Sequence, residues 1–230
     1  RPNAVIKLDR IAFNPLAGGD QQLVITQTAS KEDRWIAEII NAENTVVRSW
    51  TFIDMPEATL IWDGADDNGK VVKDGLYRYK ISAVDRAGNE FSVTSQAVTV
   101  DTAQKQVRLA LDKRAFSPNN DKAKDDVVLL PEVASNDRVR SWSVTVVDEK
   151  GTVVRTFKGT GKVPDKITWD GKNDRAELAS DGLYTANLEV QYITNEIERA
   201  ASFKVMLDTT PPQAKVPTQY LVFSPNGDKQ

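Results

Sequence analysis

Apolar residues recur at every second position through much of this 230-residue chain. Tyr77, Tyr79, Ile81 and Ala83 alternate with Arg78, Lys80 and Ser82, while Tyr184, Ala186, Leu188 and Val190 alternate with Thr185, Asn187 and Glu189. Successive side chains on a strand point to opposite faces, so each run predicts a strand with one face in a core and the other in water. Trp142, Val144 and Val146 alternate with Ser143, Thr145 and Val147 in the same way, and a counterpart starts at Trp35. Shorter runs begin at Val5 and near positions 23, 46 and 60. A last run spans Phe91–Val100, matched near Phe203–Leu207. Together they give about seven strands in about 100 residues, with no helical period.

The pattern occurs twice. Trp62-Asp63-Gly64 and Asp74-Gly75-Leu76-Tyr77 return as Trp169-Asp170-Gly171 and Asp181-Gly182-Leu183-Tyr184, each 107 positions on. A repeat of this length, filled with short strands, predicts an all-β chain of tandem Ig-like β-sandwich domains. Phe13-Asn14-Pro15, Phe116-Ser117-Pro118-Asn119-Asn120-Asp121 and Phe223-Ser224-Pro225-Asn226-Gly227-Asp228 mark three unit starts. The first two are only 103 apart. The second unit therefore carries four extra residues before Trp142, expected in the Lys122–Asp126 or Ser135–Arg138 loop. An identical Thr-Val-Val-Arg follows a turn in each unit, and Asn44 and Gly151 fill the same slot of that turn. Both residue types tolerate positive φ, which predicts a left-handed hairpin position there.

Val100-Asp101-Thr102-Ala103 and Leu207-Asp208-Thr209-Thr210-Pro211-Pro212 mark the boundaries. They divide the chain into repeat 1 (1–103), repeat 2 (104–210), and a linker with the start of a third repeat (211–230). The proline pair predicts a semi-rigid connector. The first junction lacks prolines and is expected to be looser unless side chains pack across it. The sequence opens at Arg1 and closes within a motif, so it reads as a piece of something longer, with 211–230 expected to fray.

Composition narrows the function. A net charge of −3, with both signs interspersed, offers no basic stripe for nucleic acid. No apolar run approaches the roughly 20 residues that span a bilayer. The absence of cysteine and histidine removes disulfides, thiolate metal sites and the commonest general base. Gly-x-Ser-x-Gly, Ser-x-x-Lys and P-loop motifs are missing. Asp125 and Asp126 are adjacent, so on a strand they would face opposite ways and could not share a substrate. The chain is read as no enzyme, with no catalytic, cofactor-binding or metal-ligating residue assigned.

Trp-Asp-Gly followed by Asp-Gly-Leu-Tyr resembles the Ig-like domain named after the flagellar hook-capping protein FlgD. Phe-Ser-Pro-Asn-Gly-Asp resembles the module starts of large bacterial surface and periplasmic proteins. Asp208-Thr209-Thr210-Pro211-Pro212 and Asp85-Arg86-Ala87-Gly88-Asn89 are similar to linker and late-strand motifs of bacterial Ig arrays. Phe13-Asn14-Pro15-Leu16 and Tyr192–Arg199 depart from these patterns. The resemblance covers nearly the whole chain and implies an FlgD-like or fibronectin-III-like sandwich array, exported to the bacterial periplasm or cell surface. The resemblance implies the fold more than the job, since such modules serve as spacers, anchors and adhesion domains alike; the reading here is a structural spacer. The first alternative is an adhesion module that recruits a host or envelope protein through loops or a sheet edge, and the second a small glycan-binding or hydrolytic domain, which would need a cleft with exposed tryptophans.

Two groups of oxygen donors could in principle take Ca²⁺: Asp63, Asp66, Asp67 and Asn68, and Asn119, Asn120, Asp121, Asp125 and Asp126. Neither has EF-hand spacing, and the commoner role of Asx residues in loops is to make turns. A junctional Ca²⁺, with Asp101 or Asp208 facing Asp121 or Asp228, is the sharper alternative. Trp35, Trp62, Trp142 and Trp169 sit at equivalent places and are expected in the cores. Trp50 and its counterpart Phe157 are expected in core or inter-sheet packing, and Tyr77 and Tyr184 as tyrosine corners.

Overall fold

The computed structural model describes residues 1–19 and 21–211. Phe223–Asp228 and nearly all of the 211–230 segment, Pro212 included, lie outside the described residues.

The first sandwich contains β1 (Ala4–Leu8), β2 (Ala12–Phe13), β3 (Leu23–Ala29), β4 (Glu32–Asn41), β5 (Val46–Asp54), β6 (Thr59–Trp62), β7 (Gly75–Val84), β8 (Glu90–Thr94) and β9 (Val98–Val100). The second repeats them as β10 (Val107–Leu111), β11 (Ala115–Phe116), β12 (Val127–Val133), β13 (Val139–Val147), β14 (Val153–Thr160), β15 (Ile167–Trp169), β16 (Gly182–Tyr192), β17 (Ile197–Ala201) and β18 (Val205–Leu207). One sheet of each sandwich has the order β1-β3-β6 or β10-β12-β15, and the other β2-β9-β7-β4-β5 or β11-β18-β16-β13-β14. Each fold is thus an all-β, Ig-like sandwich, and the two form a tandem.

Nine strand pieces replace the seven expected because two strands are interrupted. The first strand changes sheets: β1 pairs antiparallel with β3, whereas β2 pairs parallel with β9. The last strand carries a one-residue bulge against β7, where the register passes from Lys80↔Thr94 to Tyr77↔Val98. The Ser95 hydroxyl closes the gap by accepting the Tyr79 N–H at 3.0 Å, and Ser202 does the same for Ala186. A run of alternating residues does not reveal such a bulge, because its signal is a single hydroxyl.

The hairpin slot is left-handed as expected, with φ of 61° at Asn44 and 81° at Gly151. The four extra residues are divided between the two loops. Leu111 lies 103 after Leu8, Val127 lies 104 after Leu23, and Trp142 lies 107 after Trp35. One residue therefore enters the loop before β12, and three form the 3-10 turn Asn136–Arg138.

Each sandwich has its own core, and the two share no residue. Trp35, Trp62 and Trp169 are fully enclosed as expected. Trp142 is only half-buried. In its row the residues opposite Trp35 and Ala83, Phe52 and Phe91, become Gly159 and Glu198. The indole of Trp142 lies over Gly159, where an added Cβ would come within 2.7 Å of the ring. Among the described residues, no helix is long and apolar enough to cross a membrane.

Candidate functional site

The repeated motifs converge on one knot in each sandwich. Phe13 packs edge-on against Trp62 at 5.5 Å between centroids, and Trp62 against Tyr77 at 5.4 Å. Phe116, Trp169 and Tyr184 repeat the stack at 5.2 and 5.0 Å. The indole N–H of Trp62 donates to the Ala65 carbonyl at 2.9 Å, and that of Trp169 to Lys172. Gly64 and Gly171 adopt φ of 80° and 76°, and a Cβ on either would meet the proline of the Phe-x-Pro motif at 2.8 Å. The glycine in Trp-Asp-Gly is therefore the floor on which Pro15 or Pro118 rests. As expected of tyrosine corners, Tyr77 donates to the Lys73 carbonyl at 2.7 Å and Tyr184 to that of Ser180 at 2.5 Å. Asp74 closes the knot onto the boundary segment by accepting both the amide and the hydroxyl of Thr102, and Asp181 does so for Thr209.

The arginine of Thr-Val-Val-Arg serves the same loop. Arg48 donates to the Asp66 carbonyl at 2.7 Å and Arg155 to that of Asn173 at 2.9 Å, each guanidinium lying over Trp50 or Phe157. Both aromatics are half-buried, packed against the core and roofed by the cation. This slot therefore combines the expected packing with a stacking role. The loop in turn covers part of edge strands β5 and β14, since Asp67 and Asp174 bond to their backbone.

The acidic clusters are engaged with backbone. A groove of about 740 Å³ beneath the Asp63–Gly69 turn is lined by Asp66, Asp67, Lys70, Lys73 and Asp74 among others. Its carboxylates already hold the amides of Asn68 and Lys70, of Ser49, and of Thr102. In the second unit Asp125 accepts the amides of Asn119, Asn120 and Lys122, and Asp121 that of Ala123. Asp126 faces Lys113 at 3.4 Å. Among the described residues, no group of three or more Asp or Glu is placed to hold a metal ion. In other turns, outside these clusters, donated hydrogen bonds hold three carboxyls below the ordinary range: Asn89 on Asp85, the Thr152 amide on Asp148, and Thr209 on Asp181.

What the repeat does not contain is the joint between the sandwiches. Asp101, offered above as a junctional Ca²⁺ ligand, is buried against a lysine instead: Lys105 Nζ lies 2.8 Å from its carboxylate, with side-chain exposures of 2% for Lys105 and 3% for Asp101. The same ammonium donates to the Ala103 carbonyl at 3.0 Å and sits 5.3 Å from the centroid of the Tyr192 ring. Tyr192 is enclosed and donates its hydroxyl to the Ala134 carbonyl at 2.9 Å. Burial first, then Glu198 and Glu196, push that phenol up to about 12. On the other side Asn14 of the first sandwich donates to Glu196 of the second at 3.0 Å. Glu196 also accepts the hydroxyl of the fully buried Thr194 at 2.7 Å. The first junction is thus packed rather than loose. Lys105 carried no signal in the sequence. Asn14 and Glu196 did, since both lie in the two stretches, Phe13–Leu16 and Tyr192–Arg199, where one repeat departs from the motif of the other.

No protein-family model and no curated protein matches this sequence. Among solved structures, the fold is similar over 91% of this chain to a tetra-tandem repeat in the extending region of a large adhesion protein, at 20% identity and a TM-score of 0.44. This chain spans half the length of that one. The fibronectin(III)-like modules of Clostridium thermocellum CbhA align over 92% of this chain and all of theirs, at 14% identity and a TM-score of 0.42. A 1.5-MDa bacterial ice-binding adhesin aligns over 90% of this chain and 65% of its own, at 14% identity and a TM-score of 0.39.

Proposed function

We propose that this chain is a non-catalytic spacer in a larger, exported bacterial envelope protein, built of FlgD-type Ig-like repeats at 1–103 and 104–210 with a third beginning in 211–230. The observation that carries the reading is the joint: a buried Lys105–Asp101 ion pair and a part-buried hydrogen bond from Asn14 to Glu196 tie the two sandwiches together, which favours one arrangement of two stiff beads. Neighbouring repeats would be its first protein partners. The knots support the same reading, because their repeated Phe, Trp, Tyr and Asp side chains are engaged in holding their own sandwich together.

Small-angle scattering on residues 1–230 tests this. A rod of constant length on dilution and with or without Ca²⁺ is the expected result. A compact or concentration-dependent particle would overturn it in favour of an adhesive module. One observation favours that second reading: Ile53 and Met55, at the end of edge strand β5, are 69% and 57% exposed.

A further inference from the structure

We propose that Lys105 is a latch that fixes the bend and twist between the two sandwiches without a metal ion. The argument deepens the spacer reading and starts from the cost of burying charge. An ammonium withdrawn from water is tolerated only where paired and hydrogen-bonded partners replace its hydration. Lys105 has three such partners, and they come from two places. Asp101 and Ala103 belong to the boundary segment, but the Tyr192 ring that closes over the cation belongs to the second sandwich. A swing of the second sandwich would lift the ring and leave the pair half-dressed. Asn14 to Glu196 supplies a second strut from another part of the first sandwich. Two struts of different origin restrain rotation as well as bending.

These residues are particular to this joint. At the repeat offsets Tyr192 replaces Asp85, Glu196 replaces Asn89, Lys105 replaces Pro2, and Asn14 gives way to Ser117. Pro212 stands 107 positions after Lys105. The latch is therefore specific to the boundary between repeats 1 and 2, and the following boundary has a proline where this one has the cation. The location of the pair also sets its salt response: a pair excluded from water is screened far less than one at the surface.

The chain contains no cysteine, so labels placed at Thr51→Cys and Lys158→Cys, exposed and equivalent positions on β5 and β14, report one inter-sandwich distance by pulsed dipolar spectroscopy. The otherwise native chain should give a narrow distribution, unchanged by chelator or by 1 M salt. Lys105→Met leaves the Asp101 carboxylate buried and unpaired, and Asp101→Asn does the same to the ammonium. Opening the joint hydrates either group, so both variants should at least double the width. The Trp62 and Trp169 indole signals check that each sandwich remains folded, and Tyr192→Phe, which keeps the ring face, should leave the distribution narrow. Narrow distributions in both charge variants, or a native distribution broadened by salt, would overturn the latch. A concentration-dependent native particle with broadened variants would overturn the spacer and leave the latch standing.

Discussion

Gly64 and Gly69 permit a controlled test of how the Trp-Asp-Gly knot is held. Their φ values are nearly equal, 80° and 76°, so alanine at either site suffers a similar left-handed strain of about 1–2 kcal/mol. Their surroundings differ. A Cβ on Gly64 would sit 2.8 and 3.0 Å from the Pro15 ring and 3.3 Å from Phe13, whereas one on Gly69 would meet nothing within 4 Å. Neither a proline ring nor a core phenylalanine stacked on Trp62 can rotate aside, so Gly64→Ala adds an overpacking cost of about 1–3 kcal/mol. The expected losses are about 2–5 kcal/mol for Gly64→Ala and about 1–2 kcal/mol for Gly69→Ala. A sandwich of this size has about 5–15 kcal/mol in all, so the first substitution removes a large share. Urea titrations followed by the indole N–H signals of Trp62 and Trp169 read each sandwich separately. The Trp62 midpoint should fall much further for Gly64→Ala than for Gly69→Ala, with the Trp169 midpoint almost fixed. Equal losses at the two glycines would refute the idea that the motif's glycine is a packing floor.

Tyr79→Phe should cost about 1–3 kcal/mol, because the hydroxyl's acceptor, Gln27 Oε1 at 2.6 Å, would be left buried without a donor; stability equal to the parent's in the same titration would refute it. The lowered carboxyls of Asp85, Asp148 and Asp181 give an acid limb. Above their ordinary value near 3.8 both folded and unfolded forms are charged and the stabilisation is complete. Below it the unfolded chain binds protons first, so urea midpoints should be flat from about pH 7 to 5 and decline from about pH 4 downward. Asp181→Ala should shallow that decline in the second sandwich, and an unchanged slope would count against it.

Legibility followed repetition. The paired motifs, the left-handed Asn44 and Gly151 slot and the alternating strands were visible because each appears twice and each answers to backbone periodicity or φ. The sheet change between β1 and β2 and the bulge at Ser95 were not, since an alternating run looks the same with or without one unpaired residue. The half-exposure of Trp142 was hidden for a related reason: its cause is Gly159, a residue on another strand. At the joint, Asn14 and Glu196 fall where one repeat departs from the other, yet their meeting depends on how two folded bodies abut. Lys105 is one lysine among many, and the same residue type on an open surface would mean nothing. Asp101 shows the limit of reading acidity as metal affinity, because its counter-charge is another side chain four residues away.

The parallel pairing of β2 with β9 has a mechanical consequence. These pieces belong to the first and last strands of the sandwich, so tension along the chain drags Ala12–Phe13 and Val98–Val100 in opposite directions along their own axes. The bonds from the Thr99 amide to the Ile11 carbonyl and from the Asp101 amide to the Phe13 carbonyl then carry the load together, in shear, and Phe13 must be drawn out of the core before they yield. Pulling outward on the Asn41–Thr45 hairpin would instead part β4 from its neighbours one rung at a time. With β11 and β18 arranged alike in the second sandwich, the molecule is hardest to extend along the line on which its repeats are strung.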